Sequence, residues 1–78
     1  MTPIASRIAW DPDVCNGKPV VAGTRIAVQS ILEYLSGGDT PEEVRKYYPE
    51  LSMEDINACL KFAAQAVDRH WIPLPAAA

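Results

Sequence analysis

Three features of the sequence predict a mainly α fold: a three-helix, helix-turn-helix-like body behind a small N-terminal β-element. Apolar residues recur at helical spacing from Val28 onward. Thr40-Pro41-Glu42-Glu43 has the composition of a helix start. Turn signals crowd the stretch before Ala27, where Asn16-Gly17 and Gly23 interrupt short β-branched runs. The 78 residues are read as one domain over residues 1–75, with residues 71–78 as a tail.

The β-element is expected over residues 7–27. Arg7-Ile8-Ala9-Trp10 reads as a short strand, broken by Asp11-Pro12-Asp13. Pro19-Val20-Val21 reads as extended, because β-branched residues follow a residue with no donor. Thr24-Arg25-Ile26 is expected to be a second strand pairing with residues 7–10.

The first helix is expected at about 28–36, with Val28, Ile31, Leu32 and Leu35 on one face and Gly37 in the C′ position. The second, at about 41–47, has Thr40 as cap, Pro41 in the first turn and Glu43 closing a capping box, and it stops before Pro49. The third, at about 53–70, begins after Ser52 with Asp55 as a weaker box partner. Met53, Ile56, Leu60, Ala63 and Val67 are expected on its core side. A second apolar strip, Ala58, Cys59, Phe62 and Ala66, runs along the same helix. A helix apolar on two sides is buried on two sides, and a domain this small buries only roughly 60% of its unfolded surface. A homodimer through that strip is therefore expected; the alternative is that the β-element wraps over Phe62 within one subunit.

Composition excludes several function classes. His70 is the only histidine, and Cys15 and Cys59 are far apart, so a zinc site has no ligand set and the cysteines read as reduced thiols. No apolar run is long enough to cross a membrane and no apolar leader follows Met1, so a cytoplasmic location is expected. Gly17-Lys18-Pro19-Val20-Val21-Ala22-Gly23-Thr24-Arg25-Ile26 has the wrong order for a phosphate-binding loop. The acid pairs Glu42/Glu43 and Glu54/Asp55 occupy first helical turns, where the helix dipole favours them. No nucleophile, base and orienter combine, so neither an enzyme, a cofactor nor a small-molecule substrate is expected. Arg25 is open to two readings: pairing with an acid such as Glu33, or contacting a partner.

Helices near 41–47 and 53–70 have the spacing of a DNA-binding pair. Yet Glu54 and Asp55 stand where bases would be read, and the net charge of −3 gives no overall attraction to nucleic acid. DNA contact would fall to Arg7, Lys18, Arg25, Arg45 and Lys46.

Asp11-Pro12-Asp13-Val14-Cys15, the Gly17–Ile26 stretch, the Thr-Pro-Glu-Glu helix start, Tyr48-Pro49-Glu50-Leu51 and the Asp55-Ile56-x-Ala58-x-Leu60-x-x-Ala63 helix together resemble family 433 of the domains of unknown function. Those are short bacterial proteins regarded as VapB-type antitoxins. The resemblance covers about residues 7–67 and implies a homeodomain-like helical body, a homodimer, a PIN-like ribonuclease toxin as partner, and autorepression of the operon. It implies no catalytic residue. In that setting the expected toxin contacts are Arg69, Arg25 and the Trp71-Ile72-Pro73-Leu74 arm. The alternative is a dimeric DNA-binding regulator without a toxin.

Overall fold

The computed structural model describes residues 1–70, the side chain of His70 excepted. It contains a three-stranded antiparallel sheet and three helices, with helices dominant. The strands are β1 (Thr2–Ala5), β2 (Ile8–Trp10) and β3 (Val20–Val21), in the order β1-β2-β3. The helices are α1 (Val28–Ser36), α2 (Pro41–Tyr47) and α3 (Met53–His70).

The sheet differs from expectation at both edges. β1 lies ahead of the expected element and pairs with β2 through the two-residue turn Ser6-Arg7. Pro3 hides this strand in the sequence, since proline is tolerated only at an edge. The register shifts between Pro3 and Ala5, which makes Ile4 the extra residue of a bulge. On the other side, Val20 and Val21, not Thr24–Ile26, pair with β2. The Thr24 hydroxyl donates to the Val21 carbonyl at 2.8 Å and accepts from the Ile26 amide at 3.0 Å. Local bonding of this kind competes with a ladder and makes a turn. Gly23, at φ 80, completes it. The Gly17–Ile26 stretch is thus turn chemistry that returns the chain, through a bridge between Val20 and Ala27, into α1.

Capping sets the helix starts. Thr40 and Glu43 exchange two bonds, 3.2 Å to the Glu43 amide and 3.0 Å to the Thr40 amide. Ser52 and Asp55 do the same at 3.1 and 2.9 Å, so the shorter acid closes a full box at α3. α1 ends in a Schellman motif: the Gly38 amide reaches Leu35 and the Asp39 amide reaches Tyr34. The left-handed residue is Gly38, at φ 106, and not Gly37.

The core joins Ile8 and Val21 of the sheet to Val28 and Ile31 of α1, Val44 of α2, and Leu51, Ile56 and Cys59. α3 is rotated relative to the expected core side. Ile56 and Cys59 are innermost, whereas Leu60 is 44% and Val67 61% exposed. Cys59 is 0% exposed and belongs to the core, so it is not part of the outward strip in which the sequence placed it. The physical reason is that Ile56 and Cys59, about 60° apart, bracket the inward direction; Leu60, roughly 70° from the line between them, falls at the margin.

Candidate interaction groove

One side of α3 and the β1–β2 turn enclose an open groove of about 540 Å³. Ile4, Ala5, Ser6 and Arg7 form one wall. Glu54, Asn57, Ala58, Lys61, Phe62, Gln65, Ala66 and Arg69 form the other. These α3 positions recur at three- and four-residue intervals, which is one continuous stripe of a helix. The apolar lining residues are the half-buried Ala5, Ala58, Phe62 and Ala66 and the exposed Ile4, with Ser6, Asn57 and Gln65 as neutral polar neighbours. The charged lining residues, all exposed, are Arg7, Lys61 and Arg69 against the single acid Glu54.

Each wall is held by local chemistry. The bulge at Ile4 breaks the alternation of β1 and brings Ile4 into the groove lining while Ala5 packs against the core. Arg7 sits in the left-handed region at φ 64, where the two-residue turn requires it. Its Nη1 donates to Asp55 Oδ1 at 3.1 Å, which ties the turn to the first turn of α3. Asp55 Oδ2 meanwhile accepts from the Ser52 amide. Burial alone would raise the Asp55 pKa, but the bonds from Ser52 and Arg7 outweigh it and hold the carboxyl below its ordinary value. Beneath the stripe, burial, with the Asp55 charge adding to it, pushes the Cys59 thiol up to about 11. That thiol is a packing group, not a nucleophile.

The groove gathers residues that the sequence assigned to different roles. Ala58, Phe62 and Ala66 were expected at a dimer interface, Arg69 at a toxin and Arg7 at DNA; all five line one surface. Ala58 and Phe62 also pack against the core from its edge. The remaining basic residues sit elsewhere. Lys18 is exposed where the tight Cys15–Gly17 turn ends. Arg25 is exposed, with its carbonyl accepting from the Cys15 thiol at 3.0 Å. It has no ion pair with Glu33, whose carboxylate instead accepts from Gln29 at 2.8 Å. Arg45 donates through Nε to the Leu51 carbonyl at 3.0 Å and so braces the connection between α2 and α3. Lys46 is exposed on α2. Trp71, Ile72 and Leu74 lie outside the described residues.

Sequence reading missed Lys61, Gln65, Asn57 and Ile4 as groove residues. The three on α3 were detectable, because they flank Ala58, Phe62 and Ala66 at helical spacing. Ile4 was not, since its placement depends on a bulge. A second surface feature, where Tyr34 meets Tyr47 at 4.8 Å and Tyr48 at 6.1 Å between ring centroids, joins α1 to the end of α2. Among the described residues no group of three His, Cys, Asp or Glu side chains is placed to hold a metal ion. No helix of the described residues is long and apolar enough to cross a membrane.

Comparison with known proteins gives a family and a fold. No functionally curated protein matches the chain. A solved structure of a DUF433 member from Anabaena variabilis superposes with a TM-score of 0.75 at 30% sequence identity. The match covers 81% of this chain and 62% of that one, so the chain spans less than two thirds of its relative's length. The family model described as "Protein of unknown function (DUF433)" matches residues 8–63. It begins after the Ile4–Arg7 wall and ends within α3, so both that wall and Gln65, Ala66 and Arg69 lie outside the matched segment. The chain belongs to the DUF433 family.

Proposed function

We propose that the chain is an antitoxin-like binding protein of a bacterial toxin–antitoxin pair, which neutralises a PIN-like ribonuclease by docking and not by catalysis. The observation that carries this reading is the make-up of the groove. Half-buried apolar side chains beside exposed charged ones are the anatomy of a protein-docking face. The helix-turn-helix description belongs to the same reading and rests on α2 and α3, joined across residues 48–52.

A nuclease of this class holds its metal with several carboxylates. An arginine inserted among them forms charge-assisted, two-pronged bonds and competes with the cation. Arg69 lines the groove with Ala58, Phe62 and Ala66 and is the first candidate for the neutralising contact; Arg25 is the second. Arg25 is exposed on a turn that Thr24 and Cys15 brace. The Trp71–Leu74 segment remains a second toxin contact on sequence grounds alone. The test is co-purification from the encoding organism, followed by inhibition of the captured nuclease. Arg69→Glu is expected to weaken inhibition by about 10-fold or more, the scale of a lost charged hydrogen bond. Absence of any nuclease among the co-purifying proteins would overturn the reading, and full inhibition by Arg69→Glu would remove Arg69 from it.

The exposed side chains of Lys18, Arg25 and Lys46 favour a second reading, a dimeric regulator that binds its own promoter. Glu54 and the Arg7-paired Asp55 at the head of α3 weigh against base reading by that helix. A regulator predicts promoter binding that falls steeply with salt.

A further inference from the structure

We propose that the corner formed by Tyr34, Tyr48 and Glu33 binds an arginine side chain presented by another protein. The corner lies between α1 and the end of α2 and shares no residue with the α3 groove, so it goes beyond the reading above and stands or falls without it.

Local structure builds the corner. Ser30, Glu33 and Tyr34 are three and four positions apart and share one face of α1. Two consecutive tyrosines close it from the other side. Neighbours within a helix do not face the same way, but Tyr48 is the C-cap of α2 and leaves helical geometry at φ -127 and ψ 80. Both rings therefore reach Tyr34: Tyr47 lies tilted at 4.8 Å and Tyr48 edge-on at 6.1 Å. The Tyr34 and Tyr48 planes meet at 68° and, with Ser30 and Glu33, line an open cavity of about 360 Å³. Tyr48 is half-buried and packs against the core, which fixes one wall.

The electrostatics call for a cation. The face of a tyrosine ring is its negative side. Glu33 stands in the last turn of α1, where the helix dipole favours a base, and that turn has no basic residue. Asp39 and Glu43 bear on Tyr47, and Glu50 bears on Tyr48. Against these four acids, Arg45 is committed to the Leu51 carbonyl, which leaves Lys46 beside Glu43. Among the described residues the one ion pair is Arg7–Asp55, so none of the four acids has a paired base. The same acids repel phosphate and disfavour a nucleic acid.

Arginine fits this corner better than lysine. Its planar guanidinium stacks on an aromatic face and offers a fork of donors to a carboxylate. Glu33 accepts from Gln29 at 2.8 Å through Oε1, and its second oxygen faces the same solvent as the cavity. An exposed ion pair and an exposed cation–π contact together strengthen binding by only about 10-fold. A free cation would be held weakly, so the arginine arrives on a larger partner. Tyr47, stacked on Tyr34 and 50% exposed, offers apolar surface to the residue next to that arginine.

The experiment titrates the isotope-labelled full chain by NMR with the capped peptide acetyl-Gly-Leu-Arg-Leu-Gly-amide. Saturable shifts are expected at Ser30, Glu33, Tyr34 and Tyr48, with a Kd of about 1 mM. Replacing the arginine by citrulline, its neutral isostere, is expected to weaken binding by about 10-fold. Glu33→Gln and Tyr34→Leu are each expected to weaken it by about 3-fold or more, with amide shifts elsewhere unchanged as evidence of folding. Acetyl-arginine-amide is expected to bind more weakly than the peptide, and Tyr47→Ser is expected to remove that difference. A citrulline or lysine peptide that binds as tightly as the arginine peptide overturns the proposal, as do shifts centred outside the corner. Free acetyl-arginine-amide binding as tightly as the peptide moves the corner to a small cationic ligand and overturns docking. Shifts at the corner that grow with chain concentration and no peptide point to a second copy and overturn the assignment to another protein. Arg69→Glu is expected to leave peptide binding unchanged and Tyr34→Leu to leave nuclease capture unchanged, so failure of either proposal is seen separately.

Discussion

The inner and outer faces of α3 carry similar amounts of apolar character and meet different fates. The inner face sets Ile56 and Cys59 against strands and helices of the same chain, with no exposure left. The outer face sets Ala58, Phe62 and Ala66 beside charged residues in an open groove. The inner face has no charge in it, because a buried ion without a partner is costly. The outer face has charges of both signs at its two ends, which is tolerable for a surface that is wet when alone and covered when bound. What separates a core face from a docking face here is the pattern of charge around the apolar residues, not their number.

The largest expected effect separates those faces by stability. Ile56→Ala is expected to cost about 2–5 kcal/mol, lowering Tm by roughly 10 °C or more in a domain of this size. A loss below about 1 kcal/mol would place Ile56 outside the cooperative core. Phe62 lies on both faces, since it packs at the edge of the core and lines the groove.

A middle-sized effect belongs to the seam between the faces, where Asp55 caps α3 and receives Arg7. Asp55→Ala is expected to cost about 1 kcal/mol in chemical denaturation, through the lost bond to the Ser52 amide, while the Ser52 hydroxyl keeps its bond to the residue-55 amide. Arg7→Ala should cost less than about 1 kcal/mol, because its side chain is 49% exposed and solvent screens the pair. The pH dependence has a definite sign. The native Asp55 carboxyl lies below its ordinary 3.8, so the folded state holds that proton less tightly than the unfolded chain. Its contribution is present above about pH 4 and is lost as pH falls through the lower folded value. Asp55→Asn should therefore flatten the acid side of the stability curve.

The smallest effect concerns the thiols. Cys59 is buried with its pKa raised from 9.0 to about 11, and Cys15 is only partly buried. Iodoacetamide at mildly alkaline pH should label Cys15 first and reach Cys59 only as the protein unfolds. Because the unfolded thiol ionises before the native one, the Cys59 contribution to stability falls as pH rises from about 9 toward 11. Equal labelling rates would contradict the core assignment of Cys59.

The three helices were legible because their signals are local. Caps, a proline in the first turn and a helical period each span only a few residues, and they agree with one another. The Ser52-Asp55 box, a weaker signal because the acid is shorter, has both of its bonds, and Arg7 pairs with the other oxygen of the same carboxylate. The strands were less legible. β1 was obscured by Pro3, and the β-branched Thr24 suggested a strand where its hydroxyl makes a turn. The groove could not be read at all from one segment. It needs Ile4–Arg7 to meet α3 across the chain, and Arg7 and Asp55 are 48 positions apart. The rotation of α3 was missed for a related reason: two apolar strips at helical spacing do not say which of them the rest of the chain will cover.

The most direct test of the two-faced helix is to reverse one charge on its outer face and follow folding and nuclease capture together. Arg69→Glu is expected to keep the wild-type circular dichroism spectrum while losing capture and inhibition of the nuclease. Full capture and inhibition by a folded Arg69→Glu chain would contradict the outer face as the docking surface.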